Sequence, residues 1–100
     1  MGIAIELYFS PAFHIVCSHL PSQVNLDPAG ATIRGLINAV SEICGEKGKT
    51  LLWDPESGCV HSALMAMVNE HCYTGNALNE RDVPLCDGDR ISFLHVVSGG

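Results

Sequence analysis

The sequence predicts an α+β fold in which a β-sheet packs on one main helix. Two observations carry this. IAIELYF has the period of two of a half-buried strand and RISFLHVV reads as a closing strand, while ATIRGLINAVSEICGEKG repeats apolar residues at the three-and-four spacing of an amphipathic helix. A helix with one apolar stripe needs one apolar sheet to cover. The chain has 100 residues, 47% of them hydrophobic, which is enough to build a core without metals or disulfides, so residues 1–100 are read as a single domain. Its punctuation is turn-like (HLPSQ, LDPAG, WDPESG, CDGD), with no internal repeat and no low-complexity linker.

The first strand sets Ile3, Ile5, Leu7 and Phe9 on one face and Ala4, Glu6 and Tyr8 on the other. Its antiparallel neighbour is expected in His14–Val16 or Val24–Leu26, because Pro21 interrupts any single long run between them. The helix follows with Thr32 as N-cap, a core stripe of Ile33, Leu36, Ile37, Val40, Ile43 and Cys44, and a stop at Gly45 or Gly48. Lys47 and Lys49 suit the negative end of its dipole. Gly35 in its interior costs about 1 kcal/mol relative to Ala, which implies close packing of the helix on the sheet. LLW and SALMAMVN read as further strands, the second apolar on both faces and therefore central or covered on each side. GNALNERDVPL reads as an irregular stretch anchored by Leu78, Val83 and Leu85. In DGD a tight turn places Gly88 at an unusual φ. The closing strand puts Ile91, Phe93, His95 and Val97 on one face, and Ser92, Leu94 and Val96 on the other.

A net charge of −6 with five Lys and Arg argues against binding nucleic acid, whose phosphates demand basic patches, and favours a basic protein partner. The N-terminus lacks a signal-peptide pattern, and no apolar run approaches the roughly 20 residues of a membrane span, so a cytoplasmic protein with no membrane partner is expected. Cys17, Cys44, Cys59, Cys72 and Cys86 are odd in number and contain no C-x-x-C pair, which fits reduced thiols. Cys59 with His61, His71 with Cys72, and Cys17 with His19 offer zinc-ligand chemistry, but their spacing matches no knuckle or finger, and no metal site is expected. His95 reads as a packed or half-exposed residue, not a base.

The chain ends in Ser98, Gly99 and Gly100, the last two read as a flexible tail, since neither glycine carries a Cβ to restrict φ or block close approach. A terminal carboxylate has an ordinary pKa of about 3.3–3.7, so that of Gly100 is ionised at neutral pH and can attack the α-phosphorus of ATP once a partner enzyme neutralises the phosphates. The resulting acyl adenylate can accept sulfur to become a thiocarboxylate. An extended segment without side chains can thread a narrow channel to a buried nucleotide.

PLCDGDRISFLHVVSGG resembles the C-terminal signature of the ThiS and MoaD family of ubiquitin-like sulfur carriers: a leucine, a D-G-D turn, an apolar strand and a terminal Gly-Gly. MVNE resembles the family's central strand ending in Val-Asn, TIRGLINAV its single helix and IAIELYF its first strand, so the likeness covers nearly the whole chain. The departures are Leu94, His95, Val96 and Val97 where many members place prolines, Glu70 in place of the usual glycine, and a longer loop around CYTGNALNERD. The resemblance implies a β-grasp (ubiquitin-like) fold with a mixed sheet. It also implies a carrier that lacks a complete active site of its own, such as the small subunit of a molybdopterin synthase. Gly100 would be the residue adenylated and thiocarboxylated. The tail and partner-binding residues would be Gly99, Ser98, Val97, Val96 and Leu94. The partners would be an adenylating enzyme of the ubiquitin-activating type, which uses the ATP, and a sulfur-accepting synthase subunit; the carrier would bind no cofactor. Ordinary burial is the competing reading for Leu94 and Val96. The competing functions are a carrier resembling the ubiquitin-related modifier, serving tRNA thiolation or protein conjugation, and a β-grasp interaction module.

Overall fold

The computed structural model describes residues 2–17 and 19–95. In chain order its elements are β1 (Ile3–Phe9), α1 (Pro11–Val16), β2 (Gln23–Leu26), a short 3-10 turn (Pro28–Gly30), α2 (Ile33–Leu52), β3 (Leu64–Val68), β4 (His71–Thr74), α3 (Gly75–Glu80) and β5 (Arg90–His95). The strands form one sheet in the order β2-β1-β5-β3-β4, with β1 and β5 parallel and every other pair antiparallel. This mixed sheet with one long helix is the β-grasp arrangement.

The alternation read in β1 sets the core side of the sheet: Ile5 and Leu7 are buried, while Glu6 and Tyr8 are exposed. Ile91 and Phe93 of β5 and Leu64 and Ala66 of β3 point to the same side, where they share one cluster with Ile33, Leu36, Ile37, Val40 and Leu52 of α2. Each of the larger side chains, fully buried, contributes about 1.5–3 kcal/mol relative to exposure, so this cluster is what joins helix to sheet. Thr32 caps α2 as expected, its Oγ1 accepting the Gly35 N–H at 3.1 Å.

Several elements differ from the sequence reading. Val24–Leu26 supplies the partner of β1, whereas His14–Val16 is helical, because Pro11 opens a helical turn and buries Phe13 beneath it. Gly45 does break α2, with φ 76° and ψ −170°, yet the chain resumes helical geometry and runs to Leu52. Leu51 and Leu52 therefore form no strand. Leu52 turns into the core, and Trp53 makes only an isolated bridge to Val60. Ile43 lies off the buried stripe at 46% exposure, and Ser41 is turned inward in its place, with its hydroxyl donating to the Ile37 carbonyl at 2.7 Å. The close approach at Gly35 is to the Gly30 carbonyl of the 3-10 turn, not to the sheet. β3 lies one place from the edge and β5 holds the centre. Within GNALNERDVPL, α3 forms because Thr74 caps it, its Oγ1 accepting the Ala77 N–H at 3.2 Å, and Leu78 is buried as an anchor. Val83 and Leu85 pack against the core as expected, and the strand β4 escaped the sequence reading.

These placements order three substitutions by their cost in urea denaturation. Leu36→Ala lowers stability by about 2–5 kcal/mol through the cavity it leaves. Ile43→Ala stays within about 0.5 kcal/mol. Gly45→Ala costs about 1–3 kcal/mol even though the added methyl meets open space, because the backbone angles there are open essentially to glycine alone.

Candidate functional site

Because β1 and β5 are parallel and paired from Glu6↔Arg90 to Phe9↔Phe93, their C-terminal ends lie side by side at one end of the sheet. There Ser10 clamps β5. Its N–H donates to the Phe93 carbonyl at 2.9 Å, and its Oγ accepts the His95 N–H at 3.3 Å. β5 ends at His95, and Val96, Val97, Ser98, Gly99 and Gly100 lie outside the described residues. What the structure defines is the root of the tail.

The opposite end of β5 is held by the D-G-D turn. Gly88 has φ 88°, the left-handed value the turn demands, and its N–H donates to the Ala4 carbonyl at 2.8 Å. The flanking acids do more than favour a turn. An Asp87 carboxylate oxygen accepts the Ala4 N–H at 2.7 Å, while Asp89 accepts from the Cys86 N–H at 2.8 Å and from Asn69 Nδ2 at 3.1 Å. Asn69, at φ 55° between β3 and β4, closes the circuit by accepting the Arg90 N–H at 3.1 Å. This network locks the register of β5 against both its neighbours, and so sets where the tail begins. Sequence reasoning recognised the turn but missed the roles of Asp87 and Asp89, which depend on strands far away in the chain.

Leu94 is half-buried on the sheet face away from α2. By register it stands opposite Met65, with Ser92 opposite Met67 on β3 and opposite Tyr8 on β1. Met65 and Met67 are half-buried and Tyr8 is 54% exposed, so Leu94 belongs to an open apolar strip and not to the core. Sequence reasoning did not single out Met65, Met67 or Tyr8; the signal available was that SALMAMVN is apolar on both faces. Beside the strip, Tyr8, Asn69, Glu70, His71, Arg90 and Ser92 line a shallow concavity of about 630 Å³. Arg90 also pairs with Glu6 at 3.7 Å, and this ion pair is exposed on both sides and contributes little to stability.

The cysteines and histidines are dispersed. Among the described residues no three His, Cys, Asp or Glu side chains stand close enough together to hold a metal ion. All five cysteines are free thiols, with Cys59, Cys72 and Cys86 exposed, Cys17 buried and Cys44 half-buried. Burial, reinforced by a hydrogen bond with Cys17, pushes the Cys44 thiol up to about 12. His95 packs edge-on against Phe13 and His61, with ring centroids 6.4 and 4.8 Å away.

Residues 7–100 match the ThiS family profile. This chain belongs to the ThiS family. The family's proteins are ubiquitin-like sulfur carriers, which work with activating enzymes. Solved structures share this fold over nearly all of the chain. Urm1 from Trypanosoma brucei is 20% identical with a TM-score of 0.64, covering 99% of this chain and 97% of Urm1. SAMP1 from Haloferax volcanii is 18% identical with a TM-score of 0.67, covering 97% of this chain and 99% of SAMP1. The Haloferax volcanii HVO 2177 protein is 22% identical with a TM-score of 0.69, covering 99% of this chain and 88% of its own. A search of curated protein sequences gives no match. No helix among the described residues of this ThiS-family chain is long and apolar enough to cross a membrane.

The thiol environments predict a split in reactivity. With a chromogenic disulfide reagent near neutral pH, Cys59, Cys72 and Cys86 react rapidly in the native protein. Cys17, buried from the reagent, and Cys44, whose thiol burial keeps protonated when the thiolate is the nucleophile, react only as it unfolds. Rapid reaction of all five in native buffer contradicts the packing described.

Proposed function

We propose that this chain is a sulfur carrier whose Gly100 carboxylate is converted to a thiocarboxylate. The observation that carries the proposal is the family match, which runs through Gly100 and includes the tail beyond the clamped end of β5. The reading requires Gly100 to bear the free carboxylate. Its oxygen attacks the α-phosphorus of ATP held by an activating enzyme of the ubiquitin-activating type, and pyrophosphate leaves. A sulfide donor then attacks the acyl carbon; a C–S bond forms, the bond to the AMP oxygen breaks, and AMP departs. The thiocarboxylate passes its sulfur to a synthase subunit, which by the resemblance of the tail motif serves molybdopterin-type cofactor biosynthesis. The carrier binds no cofactor, since the ATP belongs to its partner.

Two parts of the chain do this work. Ser98, Gly99 and Gly100 form the narrow segment that enters the partner's nucleotide site, where a Cβ at either glycine would meet the channel wall. Leu94, continued by Val96 and Val97 and flanked by Met65 and Met67, supplies an apolar strip for docking. An apolar contact beside an acidic chain fits an enzyme with a hydrophobic groove and basic edges.

The test is incubation with the cognate activating enzyme, ATP and a sulfide donor, read by intact mass for replacement of one oxygen by sulfur. Full-length protein gains the sulfur; deletion of Gly100, a one-residue extension, or Gly99→Val abolishes the gain while the unfolding midpoint stays unchanged. Leu94→Asp raises KM for the carrier by roughly tenfold with kcat nearly preserved, as expected when a docking interaction worth about 1.4 kcal/mol is removed. Isopeptide adducts on target lysines favour the carrier resembling the ubiquitin-related modifier, and an unchanged mass favours the interaction module.

A further inference from the structure

The proposed function leaves one internal cluster unused. His61 and His95 meet at the root of the tail with their ring centroids 4.8 Å apart and their planes inclined at 62°. His61 is rigidly placed. Its N–H donates to the Leu52 carbonyl at 2.9 Å, and its carbonyl accepts the Leu64 N–H at 3.0 Å. That same carbonyl lies so close to Gly75 that no Cβ fits there. Its Nδ1 accepts the Ala63 N–H at 3.0 Å, which puts the proton of a neutral ring on Nε2. His95 Nε2, by contrast, is shielded from solvent and has no hydrogen-bond partner among the described residues.

We propose that His61 and His95 are positioning residues that hold the root of the tail through an uncharged ring pair, so that presentation of the tail weakens as the pair takes up a proton. This rests on the reading that the tail is the working segment. The groups packed around the His95 ring are Phe13 of α1 and His61 of the segment before β3; on the backbone side Ser10 binds its N–H, and Leu64 of β3 stands opposite. Only His61 among these is titratable, and among the described residues no carboxylate acts on His95 to welcome a charge. Burial, and then the neighbouring His61, hold His95 below the ordinary histidine value of 6.5. A released His95 therefore takes a proton first as pH falls. The packed state is at full strength above the ordinary histidine range and loses ground as pH drops through it toward the lowered value. Because the His95 N–H is bound to Ser10 Oγ, freeing this residue also frees the last clamped position of β5.

The test has two arms on the full chain. In the first, NMR follows the His95 ring and amide from about pH 8 to about pH 5, across the ordinary histidine range. The ring should titrate with a midpoint below the ordinary histidine value of 6.5, and the amide should lose order with the same midpoint. His61→Asn, whose side-chain oxygen can still accept the Ala63 N–H, should move the midpoint upward. In the second arm, KM for the carrier in activation is compared between wild type and His95→Phe at each pH, so that the activating enzyme's own pH dependence cancels. The wild-type to His95→Phe ratio should grow by about threefold or more from about pH 7.5 to about pH 5.5. An ordinary His95 midpoint, an amide equally ordered on both sides of the titration, or a ratio flat with pH overturns the proposal. The first arm needs no partner enzyme, so failure of sulfur transfer with intact NMR behaviour refutes the carrier function and not the ring pair.

Discussion

The parallel pairing of the first and last strands is the constraint on which the rest of this structure depends. Parallel neighbours cannot be joined by a hairpin, so everything between β1 and β5 is a long crossover that must return to the starting edge of β1. That return covers one face of the sheet with α2 and adds β3 and β4 on the far side. It also brings the C-terminal ends of β1 and β5 together, which is why Ser10, next to the end of β1, can grip the last described residue of β5 eighty-five positions later.

Register is what makes the pairing useful. A slip of one residue between β1 and β5 would exchange Phe93 for Leu94 on the core side and move the exit of the tail. The D-G-D turn prevents this with polar contacts at one end, and Ser10 does so at the other. Arg34 provides a comparable tie across the helical layer. Its guanidinium donates to the Leu78 carbonyl at 3.0 and 2.7 Å and to that of Asn79 at 2.8 Å, covering carbonyls that the last turn of α3 leaves unpaired. The irregular half of the chain is thereby fastened to α2.

The core and the open apolar strip occupy opposite faces of the sheet. Ile5, Leu7, Leu64, Ala66, Ile91 and Phe93 face α2, while Tyr8, Met65, Met67 and Leu94 face outward. The outward strip can therefore change at little cost to the fold, and its methionines make it an adaptable surface, as the proposed docking role requires. The histidine pair lies where the core meets the root of the tail, on the face opposite the apolar strip, so the proton uptake proposed for it would act on the root and not on the strip.

Periodicity and capping were legible from the residues alone. Ile3 to Phe9 and Arg90 to His95 announced strands, Thr32 and the apolar stripe through Val40 announced α2, and Gly88 announced its turn, because each signal is carried by neighbours within a few positions. The Gly-Gly tail and its motif pointed to the family for the same reason. Other features could not be read locally. Leu51 and Leu52 form a short apolar run that suits a strand or a helix equally, and packing of Leu52 against the sheet decided for the helix. Ile43 fits the helical stripe in sequence, yet the turn of α2 ahead of Gly45 leaves it facing water. His71–Thr74 became a strand because β3 offered an open edge. Asp87, Asp89, Ser10 and the meeting of His61 with His95 acquired their roles only when distant segments came together, since a hydrogen bond or ring contact between residues far apart in sequence leaves no periodic trace in the chain that encodes it.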